Sequence, residues 1–244
     1  METNLELPAY VESSLQLFTQ SIQEAFGKSL ISVMLFGSAA EGRLRQTSDV
    51  NVLVVLRDFQ KEKADGLHGA YAMAHSAVRL NVMFLLEGEL SLDSEAFAVK
   101  FSDIGVRHKV VFGEDLFTNL RPSREGVKRR LKQVLANLIL RLRERYVLEG
   151  PAGKKLASVI AEISGPLRAC ALSIAQLEGR KTIHPKEALA EILPILKTPG
   201  YEETLKRISE AREGTALDAP ETVKTIFSIL EIAEKMAGYV EKIK

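Results

Sequence analysis

The chain has 244 residues, a length that accommodates one large domain or two modest ones. Hydrophobic residues make up 46% and charged residues 27% of the sequence, which is the composition of an ordinary globular protein and excludes a disordered chain. The formal net charge of +1 argues against a globally basic nucleic-acid-binding protein, so nucleic acid is not expected as a partner.

The sequence also carries features of a cytoplasmic protein. Its single cysteine, Cys170, cannot form an internal disulfide, which suits a reducing compartment. The N-terminal stretch METNLELPAY lacks the basic and apolar regions of a signal peptide. No uninterrupted apolar run approaches the ~20 residues that a membrane-spanning helix needs. We therefore predict a cytoplasmic location and no membrane partner.

The first half of the chain alternates helix and strand patterns. Apolar residues recur at helical spacing from Pro8 to Phe26, and a second helix is predicted from Lys61 to Val78. Four apolar runs predict strands: LISVMLF at 30–36, DVNVLVVL at 49–56, RLNVMFLL at 79–86 and HKVVF at 108–112. The pattern predicts an α/β (α+β) fold in which a mixed-sheet domain covers residues 1–120.

From residue 121 onward the pattern is purely helical. GVKRRLKQVLANLILRLRERYVL predicts one helix, which Gly150-Pro151 ends. The next helix is expected to stop at Ile163, to be broken by Gly165-Pro166 and to restart as far as a C-cap glycine, Gly179. Two or three further helices are predicted, with starts at His184, Tyr201 and Glu221. We predict an all-helical bundle domain over residues 121–244, joined to the first domain at about 119–123.

Polar residues follow or interrupt the apolar strands of the first domain. Gly37 and Ser38 come directly after the first strand and open a short helix or turn, so backbone N–H groups and the Ser38 hydroxyl can face a phosphate, although the same pair is common in a plain turn. Because side chains alternate along a strand, Asp49 and Asn51 point to the same face. Asn81 is the polar exception on its face of the third strand. We expect these polar groups to converge in one cleft.

This series of residues resembles the signature of the nucleotidyltransferase superfamily. In that signature a Gly-Ser pair is followed by Asp-x-Asp or Asp-x-Glu, and a later strand supplies a third carboxylate. The matching residues are Gly37-Ser38, Gly42 and Ser48-Asp49-Val50-Asn51, and the resemblance extends from about Leu30 to Phe117. The segment LRACALSIAQLEGRKTIHPKEALAEI is similar to the helical domain of the aminoglycoside adenylyltransferase branch.

The resemblance implies transfer of a nucleoside monophosphate from Mg²⁺-bound NTP to the hydroxyl of a small molecule. It implies that Gly37 and Ser38 bind phosphate, that Asp49 is the first metal ligand, and that Lys186 contacts the nucleotide phosphates. For Lys186, an ordinary first-turn position on a helix opened by Pro185 is an equally good interpretation. The implied partners are a nucleotide and a small-molecule acceptor. A homodimer is also compatible with the sequence.

The chain departs from this family at two positions of the carboxylate triad. Asn51 and Asn81 stand where the second and third carboxylates belong. An amide brings no charge to Mg²⁺, and the Asn81 amide cannot act as a general base. Glu87 and Glu89 are near in sequence, but Glu87 lies roughly 20 Å along the strand from Asn81. We therefore expect weak Mg²⁺ binding, with the ion held mainly by the NTP phosphates, and weak or absent catalysis.

Three functions are consistent with the sequence. The first is a nucleotidyltransferase that modifies a small molecule. The second is a non-catalytic nucleotide-binding or regulatory module on the same scaffold. The third is an interaction protein, like the nucleotidyltransferase-type antitoxins that pair with helical toxins. The fold alone does not choose among them, whereas the loss of two carboxylates favours the second.

Overall fold

The computed structural model describes residues 7–45, 48–92, 96–118, 120, 122–151, 155–182, 184–215 and 217–243. By contacts, the chain forms two compact units. Met1–Ser94 and Ile104–Arg121 make up the first, whereas Glu95–Asp103 and Pro122–Lys244 make up the second. Residues 95–103 thus belong to the helical unit, although the sequence assigns them to the first domain. The predicted join at 119–123 includes Asn119 and Arg121, which lie outside the described residues.

The first unit is built on a four-stranded mixed sheet in the order β3-β2-β1-β4. Its strands are β1 (Leu30–Phe36), β2 (Val50–Leu56), β3 (Leu80–Leu86) and β4 (His108–Gly113). Strand β1 is antiparallel to both of its neighbours, β2 and β4, and β2 is parallel to β3. The long crossover that a parallel pair requires is supplied by helix α2 (Lys61–Val78). The mixed sheet predicted from the sequence is confirmed.

Helices α1 (Ala9–Phe26) and α2 pack their apolar residues on one side of this sheet. Along α1 the buried side chains recur every three or four residues, as the sequence predicts: Val11, Leu15, Phe18, Ile22 and Phe26. Val50 and Val52 of β2 belong to the same core cluster. Because successive side chains on a strand point to opposite faces, Asn51 lies on the other face of the sheet.

Two short helices, α3 (Glu89–Leu92) and α4 (Ala98–Val106), lie between β3 and β4 along the chain. Neither helix is predicted from the sequence. The second unit is formed mainly by five longer helices: α5 (Arg124–Glu149), α6 (Leu156–Leu177), α7 (Pro185–Ile195), α8 (Tyr201–Arg212) and α9 (Ala219–Lys242). The last of them begins two residues before the predicted start, because Asp218 serves as its N-cap and accepts a hydrogen bond from the backbone N–H of Glu221.

The predicted break at Gly165-Pro166 is wrong, because α6 runs through both residues without interruption. A proline inside a helix costs about 3 kcal/mol, since it removes one hydrogen bond and crowds the preceding turn. Apolar residues on both sides of it are buried in one core, among them Ile160 and Ile163 before it and Leu167 after it. Each such side chain contributes about 1.5–3 kcal/mol on burial, so the continuous helix is favoured.

Helix α6 ends as the sequence predicts. Gly179 adopts a positive φ of 72°, the N–H of Gly179 donates to the carbonyl of Gln176, and the N–H of Arg180 donates to the carbonyl of Ala175. This is the Schellman arrangement, which satisfies carbonyl groups that a helix end would leave unpaired.

Within the described chain, α6 is the one helix that is long and apolar enough to cross a membrane by length and composition. Glu162 and Arg168 interrupt its apolar sequence, so α6 contains no uninterrupted apolar run of the length that a membrane-spanning helix needs. Its most apolar window is 61% buried inside the protein. Such burial is that of a core helix, and the cytoplasmic location stays a prediction.

Candidate functional site

The polar residues singled out in the sequence lie at one edge of the sheet. Strand β1 ends at Phe36, which pairs with Asn51 of the antiparallel β2. Asn51 in turn pairs with Asn81 of the parallel β3. Paired residues on neighbouring strands project from the same face, so the two asparagines lie side by side. The end of β1 and the starts of β2 and β3 therefore meet at this edge.

The segment after β1 is a closed turn rather than a helix. The Glu41 N–H donates to the carbonyl of Gly37 at 3.3 Å, and the Arg43 N–H donates to the carbonyl of Ser38 at 2.9 Å. Gly37 has a φ of 75°, a conformation that favours glycine, and its own N–H donates to the carbonyl of Arg107. The turn is thus held to the chain just before β4.

This turn leaves a row of unsatisfied donors. Among the described residues, the backbone N–H groups of Ser38, Ala39 and Ala40 donate no hydrogen bond, and the Ser38 hydroxyl makes none. Ala39 and Ala40 are nevertheless buried. Buried N–H groups are nearly always paired, and successive N–H groups in a turn form an anion-binding concavity. The turn therefore offers a site for an anion.

An ion pair braces the same turn. The Arg107 guanidinium lies 2.9 Å from the Glu41 carboxylate, and the two side chains are only 11% and 13% exposed. The partners are 66 residues apart in sequence, so no local pattern signals their contact. We infer that this pair fixes the position of the turn against the start of β4.

Asp49 lies immediately before β2 and is engaged by an arginine that the sequence analysis does not single out. Nε of Arg79 lies 2.8 Å from a carboxylate oxygen of Asp49. Asn51 donates from its side-chain amide to the backbone carbonyl of Asp49 at 3.3 Å. The carboxylate assigned as the first metal ligand is thus already paired with a cation.

The donor set does not suit a divalent cation. Mg²⁺ in proteins is held largely by carboxylates and substrate phosphates. Here Asp49 is paired with Arg79, and the neighbouring positions are the amides Asn51 and Asn81. Among the described residues, no group of three His, Cys, Asp or Glu side chains is arranged to hold a metal ion.

The two glutamates after β3 do not supply the missing charge. Glu89 accepts a hydrogen bond from the backbone N–H of Leu86, the last residue of β3. That contact ties Glu89 to the end of β3 opposite Asn81, and Glu87 directly follows the same end. This placement agrees with the prediction that neither glutamate replaces a missing carboxylate of the triad.

His108, which opens β4 and pairs with Phe36, belongs to a second polar cluster near the same sheet edge. Its Nε2 lies 3.0 Å from Asp115, which also accepts hydrogen bonds from Thr118 Oγ1 and from the backbone N–H of Phe117. Burial raises the pKa of Asp115, but the hydrogen bonds from Thr118, His108 and Phe117 outweigh it and hold the pKa below its usual value.

Lys186 lies in the second unit, at the second position of α7 after Pro185. It is exposed, and its ammonium group pairs with no described residue. This placement fits an ordinary first-turn lysine as well as a phosphate contact, so the role of Lys186 stays a prediction.

Comparison with known families identifies the sheet unit. The family described as "Nucleotidyltransferase domain" matches residues 16–111, a range that contains the Gly37 turn, Asp49, Asn51 and Asn81. Residues 16–111 thus match a nucleotidyltransferase domain. The superfamily resemblance predicted from the Gly-Ser and Asp-x-Asn residues is confirmed.

Two relatives extend this result. A 48-residue segment, 20% of the chain, is 42% identical to a Methanocaldococcus jannaschii protein named "Putative protein adenylyltransferase", and it covers 33% of that relative's length. Spectinomycin adenyltransferase from Enterococcus faecialis, solved with ATP and spectinomycin, matches with a TM-score of 0.62. The match covers 92% of this chain and 98% of that chain at 13% identity, which establishes the fold: a nucleotidyltransferase domain followed by a helical region.

Proposed function

We propose that the nucleotidyltransferase domain binds a nucleoside triphosphate, with the turn after β1 holding its phosphates. The observation that carries the proposal is the row of unpaired N–H donors at Ser38, Ala39 and Ala40, on a turn opened by Gly37. An anion that accepts these hydrogen bonds satisfies donors that the described chain leaves without acceptors. The relative solved with ATP supports a nucleotide as that anion.

The proposed reaction is transfer of a nucleoside monophosphate to a small-molecule hydroxyl, at a low rate or not at all. The amide of Asn81 has no useful proton affinity near neutral pH, and general-base assistance is typically worth about 10²–10⁴-fold in rate. Asn51 brings no charge beside Asp49, whose own charge is paired. A small-molecule acceptor is proposed because the similar fold in the Enterococcus relative belongs to a spectinomycin adenyltransferase.

The second candidate is a non-catalytic nucleotide-binding or regulatory module. It is favoured by the same substitutions, because they remove groups needed for chemistry but leave the phosphate-binding turn in place. A nucleotide would then act as a signal rather than as a substrate. In both cases we propose a cytoplasmic protein in which Lys186 adds a contact to the phosphates.

An ATP titration of the full chain tests this proposal. We expect saturable binding that Ser38→Ala weakens several-fold, because the Ser38 hydroxyl has no partner in the described chain and is available to a phosphate. Ser13→Ala is the matched control, since its hydroxyl donates to the Ala9 carbonyl on an exposed turn of α1. Pyrophosphate release with candidate acceptors separates the two functions. An absence of ATP binding would overturn both.

A further inference from the structure

We propose that Arg79 takes the place of the divalent cation that related sites use. Its guanidinium neutralises the Asp49 carboxylate and binds a polyphosphate directly. Nucleotide binding therefore does not require a metal ion. This inference rests on the proposed function, because it assumes that the site takes a nucleotide. It goes further by naming the group that replaces the metal charge and by specifying the ligand as a metal-free polyphosphate.

The backbone of Arg79 is in a strained conformation. It has φ 53° and ψ 43°, and it is one of only two non-glycine residues with a positive φ in the described chain, the other being Lys197. This left-handed conformation costs a non-glycine residue about 1–2 kcal/mol, and glycine or asparagine usually takes it at a helix end. A strained position occupied by arginine suggests that the side chain is needed there.

Backbone hydrogen bonds on both sides hold this arginine in place. The Arg79 N–H donates to the His75 carbonyl at the end of α2, and the Arg79 carbonyl accepts from the N–H of Val50 at 3.2 Å. Val50 is the first residue of β2 and directly follows Asp49. The backbone that carries the guanidinium is therefore hydrogen-bonded to the residue that directly follows the carboxylate in sequence.

The guanidinium of Arg79 has hydrogen-bonding capacity that the described chain does not use. Nε contacts Asp49, and the two terminal nitrogens have no acceptor among the described residues. Arginine presents its donors in a planar fork that matches a phosphate. Arg79 thus keeps a face with free N–H groups while it offsets the charge of Asp49, which would otherwise repel a polyphosphate.

Stability does not explain the pair. The Arg79 and Asp49 side chains are 59% and 40% exposed, and ion pairs at such positions contribute about 0–1 kcal/mol. The free energy gained from the ion pair is therefore no larger than the free-energy cost of the left-handed backbone at Arg79. The arrangement is therefore better explained by ligand binding than by folding.

The test is calorimetric titration of the full chain with ATP, once in EDTA and once in excess Mg²⁺. For the parent we expect affinities that agree within about threefold in the two buffers, because the arginine and the turn supply the positive groups. Arg79→Gly should lower the affinity in EDTA by about tenfold or more, and Mg²⁺ should then restore part of it, because Asp49 is released. Glycine suits the left-handed backbone, so this variant should fold.

Lys197→Gly is the matched control. It also removes one positive charge from a left-handed position, but Lys197 lies in the second unit, where its backbone carbonyl accepts from Lys235. Its ATP affinity should equal that of the parent. Asp49→Asn should raise the affinity in EDTA, because it frees the whole guanidinium, whereas a metal-ligand role for Asp49 predicts a loss in Mg²⁺.

The outcomes distinguish the two proposals. If the parent binds ATP more than about tenfold better in Mg²⁺, or if Arg79→Gly and Lys197→Gly bind alike in EDTA, the role of Arg79 is wrong while nucleotide binding stands. If no variant binds ATP in either buffer, the proposed function itself fails, and this inference fails with it.

Discussion

Asn51 of β2 and Asn81 of β3 are direct partners in a parallel register, one residue after the first pair of the two strands. Each amide is therefore aimed at the same small volume, beside Asp49. Replacing both amides by acids should add negative charge there with little change in the scaffold. Substitution of both asparagines therefore tests whether the start of β2 and β3 is a metal site that has lost its negative charge.

We predict that the double variant Asn51→Asp, Asn81→Glu melts at a lower temperature than the parent without metal and is stabilised by Mg²⁺. Carboxylates crowded together repel one another, and a cation that binds only the folded state raises its melting temperature. Melting curves with and without Mg²⁺ measure the shift, which should reach a few degrees. Asn137→Asp, on an exposed position of α5, controls for added charge. Equal Mg²⁺ shifts in the parent and the double variant would contradict the prediction.

Gly37 and Gly113, which have similar φ angles, should respond differently to substitution by alanine. A Cβ atom on Gly113 would lie 1.9 Å from the carbonyl oxygen of Ile31, whereas a Cβ on Gly37 would meet nothing within 4 Å. Both have positive φ, so each alanine costs about 1–2 kcal/mol in backbone strain. Gly113→Ala adds a clash with the neighbouring strand, and we expect a total loss above about 3 kcal/mol. Urea unfolding of the two variants checks the order, and equal losses would refute it.

Much of the fold can be predicted from the sequence where side-chain spacing and end signals agree. The predicted bounds of β1 and α2 match the structure, Leu30–Phe36 and Lys61–Val78. In each case the apolar spacing and the polar or glycine residues at the ends indicate the same limits. Strand alternation also gives the face of its own strand on which Asn51 or Asn81 lies, although not their pairing across the two strands. Local patterns therefore suffice for the sheet that carries the site.

Predictions from local sequence patterns fail where contacts between residues far apart in sequence determine the structure. Gly165-Pro166 is a strong local signal for a helix break, but burial on both sides of it keeps α6 continuous. Arg79 is inconspicuous in the sequence because its partner, Asp49, lies on another element. Glu41 and Arg107 are likewise joined only by the tertiary fold. Pairings of this kind depend on the register of strands and turns, which a single sequence does not specify.

Cys170 should be unreactive while the protein is folded. Its side chain is fully buried, and burial raises the pKa of its thiol to about 12. The thiolate is the reactive form, so only about 10⁻⁴ of the thiol is ionised at pH 8. We expect negligible labelling by an aromatic disulfide reagent in native buffer and rapid labelling in urea. Cys170→Ala controls for the background, and native labelling at the rate of a free thiol would contradict this placement.

The carboxyl group of Asp115 has a lower pKa in the folded protein than its ordinary value, because Thr118, His108 and the Phe117 N–H donate hydrogen bonds to the ionised form. A lowered pKa in the folded state means that the ionised carboxylate stabilises the fold. That contribution is complete above about pH 4 and is lost as the pH falls through the folded pKa. Asp115→Asn keeps the size of the side chain but removes the charge that Thr118, His108 and the Phe117 N–H recognise. We therefore expect Asp115→Asn to be less stable than the parent at pH 6, by at most about 1 kcal/mol, because the Asp115 side chain is 38% exposed and solvent screens its contacts. The difference in stability should shrink below pH 4.

Thr118→Val removes one of the donors to Asp115. It should therefore raise the pH at which the stabilisation by the Asp115 carboxylate is lost. Chemical unfolding at several pH values measures the difference, and a gap that is constant from pH 6 down to pH 3 would show that the carboxylate charge does not stabilise the loop after β4.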